Sequence, residues 1–156
     1  LTAPRLIRYA CTLTRHQDDA EDAVQAALVK VALKPRFLAE ADYPWAYFLK
    51  VVRNEALAIA RRRKPLKIVS SIVAARNDEL KTYENEELKQ GVREALDKLP
   101  GEQAEVVVLK IWEEMTFAEI GDVLGESPNT AASRYRYAMA KLSRSLRRFA
   151  REMLYD

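Results

Sequence analysis

Five prolines cut this sequence into helix-length pieces, and that partition limits the folds open to it more than any other feature. Lys34-Pro35 stops one apolar-periodic segment, because proline has no amide hydrogen and pushes the residue before it out of helical geometry. Pro44 suits the first position of the next helix, Pro65 ends it, Pro100-Gly101 breaks a later one and Pro128 opens the last. The pieces between them repeat at helical spacing. Residues 3–14 carry Leu6, Ala10 and Leu13. The next segment, capped by Asp18 or Asp19, sets Ala20, Ala23, Val24, Ala27, Leu28 and Val31 on one face. Its acidic first turn complements the helix dipole, and Ala26, Val29 and Leu33 give it a second apolar side, as in a helix covered by a partner. Residues 36–43 read as a connection, followed by a stripe of Trp45, Phe48, Leu49, Val52, Ala56 and Ile59. Val106 to Leu109 favours strand by propensity. Acids open that segment and no hairpin partner lies near it, so a helix is predicted over 102–113. The fold class is all-α.

Residues 65–87 lose the periodicity and turn polar and acidic. They read as a flexible linker, with one short helical turn around 69–75, between helical domains at 1–64 and 88–156. The second domain holds a helix at about 116–124, a turn at Gly125-Glu126 and a further helix from Pro128. Gly125 fits the left-handed residue just past a helix end. Ser127 offers its hydroxyl as N-cap, and small residues (Ala118, Gly121, Ala131) allow the two helices to cross closely. This is a helix-turn-helix unit. Ala131, Tyr135, Ala138 and Leu142 form the packing face of its second helix, which leaves Asn129, Ser133, Arg134, Arg136 and Tyr137 to face outward.

Charge is arranged rather than abundant. The net charge is +3, yet residues 128–156 hold seven Lys/Arg and residues 50–67 hold seven more, while the acids collect elsewhere. Two basic runs, each closing a helix, point to two contacts with a polyanion. The chain has one Cys and one His, which leaves no material for a disulfide framework or a Cys/His metal site; Cys11 reads as a small buried apolar residue. Four glycines cannot build phosphate loops, and nothing assembles a nucleophile with its base. No metal, cofactor or enzymatic activity is expected. No apolar run approaches the ~20 residues of a membrane span, no signal peptide is legible, and a reducing cytoplasm is expected.

Three stretches, "DAEDAVQAALVKV", "YFLKVVRNEALAIARRRK" and "ALDKLPGEQAEVVVLKIWEEMTFAEIGDVLGESPNTAASRYRYAMAKL", occur in this order around the acidic segment. The chain thereby resembles the extracytoplasmic-function group of bacterial sigma-70 family sigma factors. The resemblance implies two helical domains and a transcription initiation factor that binds core RNA polymerase and promoter DNA. It implies that Asp22, Gln25 and Val29 meet the clamp helices of the largest polymerase subunit. Arg53, Asn54, Arg61 and Arg62 then fall at the minus-ten element, with the connection from Phe37 to Tyr43 helping to hold a flipped base. Asn129, Thr130, Ser133, Arg134, Arg136 and Tyr137 fall at the minus-thirty-five element. An anti-sigma factor is a further partner implied by the family. The sequence departs from the usual pattern at Tyr47, where Trp is frequent, and at Ala131, Ala132 and Tyr137, so no relative's promoter carries over. Two other readings stay open from the residues alone. One is a helix-turn-helix regulator acting without polymerase; the other is a scaffold or anti-sigma protein that binds polymerase without reading DNA.

Overall fold

The structure, a computed structural model, describes residues 3–63 and 86–155. The expected linker, except for Glu86 and Glu87, and the helical turn around 69–75 lie outside the described residues. Among these residues the secondary structure is helical throughout, with no strand. The first half comprises α1 (Ala3–Thr14), α2 (Gln17–Leu33), α3 (Pro35–Glu40) and α4 (Pro44–Arg62). The second comprises α5 (Glu86–Asp97), α6 (Gly101–Val107) running into a π-helical turn (Val108–Trp112), α7 (Phe117–Leu124) and α8 (Pro128–Tyr155).

In the first half α1, α2 and α4 pack on one another. Ala10, Ala20, Ala23, Ala27, Ala46 and Ala56 are fully buried between them. With so many methyl side chains the backbones approach closely, and Leu6, Tyr9, Leu49 and Val52 fill what remains. Ion pairs tie the rim: Lys30 to Glu55 joins α2 to α4, and Arg63 holds the buried Asp19 at 3.0 Å. The acids of α2 sit in its first turn as expected, but they do not cap it. The helix starts at Gln17, with His16 in the cap position and no side-chain cap bond. The predicted connection at 36–43 also contains a helix. Pro35 both stops α2 and occupies the first position of α3, a six-residue helix without a buried residue and therefore without an apolar period to read.

In the second half α8 runs 28 residues, about 42 Å at ~1.5 Å per residue. It supports α5, α6 and α7. Gly91 of α5 lies under the Phe149 ring, where a β-carbon would fall 2.7 Å from ring atoms. The Val106–Leu109 run is helical, as predicted, but it widens into π geometry: Glu113 N–H reaches Val108 O at 3.3 Å and Met115 N–H reaches Leu109 O at 3.2 Å. π turns of this kind are short and concentrate at functional places. Here the widening ends the helix with Glu113 turned inward, 4% exposed.

The two halves meet. α4 packs on α7, and Val106, Val108, Leu109, Met115, Ile120 and Val123 continue the apolar cluster of α1, α2 and α4. Trp45 and Trp112 both pack against that cluster. No helix of the described residues is long and apolar enough to cross a membrane.

Candidate nucleic-acid and polymerase interfaces

The helix-turn-helix is built by local chemistry. Thr116 caps α7 in a reciprocal box: its hydroxyl accepts from Glu119 N–H, and the Glu119 carboxylate accepts from Thr116 N–H. Gly125 closes the helix at φ 69°, in the left-handed region. Gly121 sets the crossing, since a β-carbon there would stand 2.5 Å from the Glu126 carbonyl oxygen. Ala131 is fully buried at the contact, whereas Ala118 is exposed and takes no part in it. Ser127 caps α8, its Oγ accepting from Thr130 N–H at 3.1 Å.

Ala131, Ala138 and Leu142 are buried, and they define the inner face of α8. At ~100° per residue, Asn129, Ser133, Arg136, Arg144, Arg147 and Arg151 fall on the opposite face. Asn129, Arg136 and Tyr137 are exposed, and Arg136 donates to Ser133 Oγ at 3.1 Å. Thr130 is half-buried, its hydroxyl 2.9 Å from Ser127 Oγ, so it belongs partly to the cap. Arg134 lies at the margin of the outer face. It pairs with Glu126 at 3.1 Å and Glu102 at 3.6 Å, an arrangement that exposed spacing alone did not reveal.

On α2, Asp22, Gln25 and Val29 are all exposed and lie within one narrow arc. Val29 is 58% exposed and Leu33, on the same side, 76%. Apolar side chains left so open beside polar ones mark a surface for another protein.

The residues assigned to the minus-ten element divide. Asn54, Arg61 and Arg62 are exposed along α4. Asn54 also lines a cleft of about 450 Å³ with Lys30, Lys34, Phe37 and Tyr47. Lys34 and the aromatic rings around this concavity suit a stacked base and its phosphate, while Lys30 is held by Glu55, which lines the same cleft. Lys30 and Lys34 had escaped sequence reading as site residues, and Tyr47 had stood out only as a departure from the family pattern, because α2, α3 and α4 bring the three together only in the fold. Arg53 is different. Its Nε donates to Glu105 at 2.7 Å, and the Tyr9 hydroxyl donates to the same Glu105 oxygen at 2.7 Å. Burial opposes the Arg53 charge, but the hydrogen bond it donates to Glu105 and the attraction of that carboxylate outweigh this and raise the guanidinium pKa.

A second carboxylate, Glu113, accepts from Arg5 at 2.8 Å, Trp45 Nε1 at 3.3 Å and Arg8 at 3.4 Å. Arg5 also stacks over the Trp45 ring, 4.7 Å from its centre. Neither Glu105 nor Glu113 had stood out in the sequence. The available signal was an acid at each end of a run too apolar to leave either in water.

A helix-turn-helix with a basic outer face, joined to a helical half with an exposed apolar strip, defines a DNA-binding protein that also has a protein partner. Residues 2–65 match the family model for sigma-70 region 2, and residues 89–142 match that for sigma-70 region 4. The chain is 27% identical over 139 residues to RNA polymerase sigma factor SigV of Bacillus subtilis, covering 88% of this chain and 81% of the relative. It is 29% identical over 143 residues to RNA polymerase sigma-E factor of Streptomyces avermitilis, covering 90% and 78%. Its fold is similar to that of the sigma factor RpoE of Bartonella quintana, solved in complex with the anti-sigma factor NepR. That match has a TM-score of 0.68 and 21% identity, over 93% of this chain and 91% of that one. The chain belongs to the extracytoplasmic-function subfamily of the bacterial sigma-70 family. It is a transcription initiation factor that binds core RNA polymerase and directs it to promoter DNA, in a family whose members are not enzymes.

Proposed function

We propose that Asp22, Gln25 and Val29 of α2 dock on the clamp helices of the largest polymerase subunit. Arg53, Asn54, Arg61 and Arg62 of α4 meet the minus-ten element, and Asn129, Thr130, Ser133, Arg134, Arg136 and Tyr137 of α8 meet the minus-thirty-five element. Residues 1–64 act as the first domain and 88–156 as the second, with 65–87 between them. The protein works in the bacterial cytoplasm through binding alone, without metal or cofactor, and an anti-sigma factor is the class of regulator it would take. The observation that carries this reading is the face of α8 turned from the core. Its first turns present Asn129, Arg136 and Tyr137, and its later turns present Arg144, Arg147 and Arg151. Early side chains on such a helix reach base edges, and later cations reach phosphate.

The test is promoter selection from a randomised library by reconstituted holoenzyme. Arg136→Ala should cost about 1–3 kcal/mol at selected sites and relax preference at one or two base pairs. Arg144→Ala should weaken binding evenly and lower the salt slope by about one. Equal loss on every sequence from both changes would reduce the helix to a charge donor. For the polymerase contact, Gln25→Glu combined with Val29→Asp should abolish co-purification with core enzyme at unchanged helix content.

A further inference from the structure

Glu126 stands in the turn of the helix-turn-helix, directly before the Ser127 cap of α8. Its main chain is fixed: the N–H donates to Gly121 O at 2.9 Å, and the carbonyl oxygen packs against Gly121. From that anchored place its carboxylate Oε1 accepts from Arg134 Nη2 at 3.1 Å, two turns along α8. We propose that Glu126 is a positioning residue for promoter selection, aiming Arg134 at a guanine edge in the minus-thirty-five element. The proposal rests on the reading of Arg134 as a minus-thirty-five contact and deepens it, naming the base and the residue that directs the arginine.

The bond leaves Arg134 able to read. A guanidinium carries five N–H donors in a planar fork, and among the described residues only Nη2 of Arg134 has a hydrogen-bond partner. Whichever Nη2 hydrogen Glu126 takes, one two-donor edge of the fork stays open, as guanine O6 and N7 require. Direction matters at this position. Arg134 starts from the margin of the outer face, on the side of Thr130 and the exposed Tyr137, where an unheld arginine has many rotamers. Ordering such a side chain at an interface lowers affinity by a factor of roughly 2–12, and a bond already made in the folded chain removes part of that loss. The carboxylate also tempers the cation. Glu102, exposed in the first turn of α6, adds a second negative charge 3.6 Å from the same nitrogen, beyond hydrogen-bond range. An arginine flanked by acids is drawn less to phosphate, which attracts any cation, than to a base edge, which depends on geometry. With side chains 24% and 38% exposed, the Arg134–Glu126 pair contributes little to stability. Promoter choice, rather than the fold, is what it controls.

The experiment is promoter selection from a randomised library by reconstituted holoenzyme, with affinity for a scrambled duplex and the melting temperature of the factor measured alongside. Arg134→Ala should relax preference by on the order of tenfold at one or two base pairs. Glu126→Ala should relax the same positions by roughly 2- to 12-fold. It should also raise affinity for the scrambled duplex, because a negative charge has left the DNA-facing surface. In an Arg134→Ala background it should relax nothing further. Glu126→Gln removes the same charge but keeps an acceptor for Arg134, so it should raise scrambled-duplex affinity equally and retain more of the base preference. The proposal is overturned if Glu126→Ala relaxes other positions, if Glu126→Gln relaxes preference as fully, or if both duplexes are bound more weakly as the melting temperature falls. Arg134→Ala without effect on preference refutes the minus-thirty-five contact and the positioning together. A silent Glu126→Ala beside an effective Arg134→Ala refutes the positioning alone.

Discussion

At the residue scale the buried acids Tyr9 and Cys11 link the fold to pH. Cys11 is 2% exposed, and burial first, with Glu21 nearby, pushes its thiol up from 9.0 to about 11. Tyr9 is held well above its ordinary 10.0 by burial and by the adjacent Glu105. Both groups stay neutral in the fold where the unfolded chain would release a proton. Their contribution is therefore complete below the unfolded values and is lost as pH rises toward the folded ones. For Cys11 the window runs from about 9 to about 11, and a shift of that size is worth roughly 2–3 kcal/mol. The urea midpoint of the wild type should fall more steeply across that window than that of Cys11→Ala. Parallel curves would show that Cys11 does not titrate with unfolding. Burial of Cys11 was legible from its type and spacing. The partner of Arg53 was not, because Glu105 lies 52 positions away, and no local pattern records a pairing made only when helices from two halves meet.

At the element scale, punctuation was legible wherever a single residue dictates backbone geometry. Pro44, Gly125, Ser127 and Pro128 lie where proline, left-handed and capping rules put them. The misreadings fell where several residues compete. α3 is too short to show a period, and the first turn of α2 offered two carboxylates as caps when the chain begins its helix ahead of both. The two glycines of the helix-turn-helix act by different physics, and that can be measured. At Gly125 nothing stands within 4 Å of an added β-carbon, so alanine pays only the left-handed backbone cost of about 1–2 kcal/mol. At Gly121 the β-carbon would meet the backbone oxygen of Glu126 at 2.5 Å, and the turn itself has to shift. Gly121→Ala should therefore cost about 1–3 kcal/mol as overpacking and displace Ser127 and Pro128. Loss of minus-thirty-five selection should accompany Gly121→Ala, with core polymerase still bound, and be small for Gly125→Ala. A reversed order in denaturation midpoint and promoter selection would refute the close approach at Gly121 as the reason for its glycine.

At the scale of the whole molecule, the sequence pattern shows two helical domains, and the structure adds the surface between them. Periodicity reports which face of a helix is apolar; it does not report which apolar face meets which. Val106, Val108 and Leu109 could have served their own half alone, yet they join the cluster of Leu6, Leu49 and Val52. Shared burial makes each half part of the other's stability, since separating them exposes apolar surface and unpairs Glu105 and Glu113 from their donors. The free chain should consequently unfold in one urea transition, reported alike by Trp45 in the first half and Trp112 in the second. Trp45→Phe and Trp112→Phe isolate the two signals. Coincident midpoints are expected for the otherwise unaltered chain, since small cooperative units lose their probes together. With Glu105→Gln and Glu113→Gln added, the contact weakens and the curves should part, the less stable half melting first. Two separated transitions in the unaltered chain would mean that the contact between the halves, apolar surface and carboxylates together, couples them little.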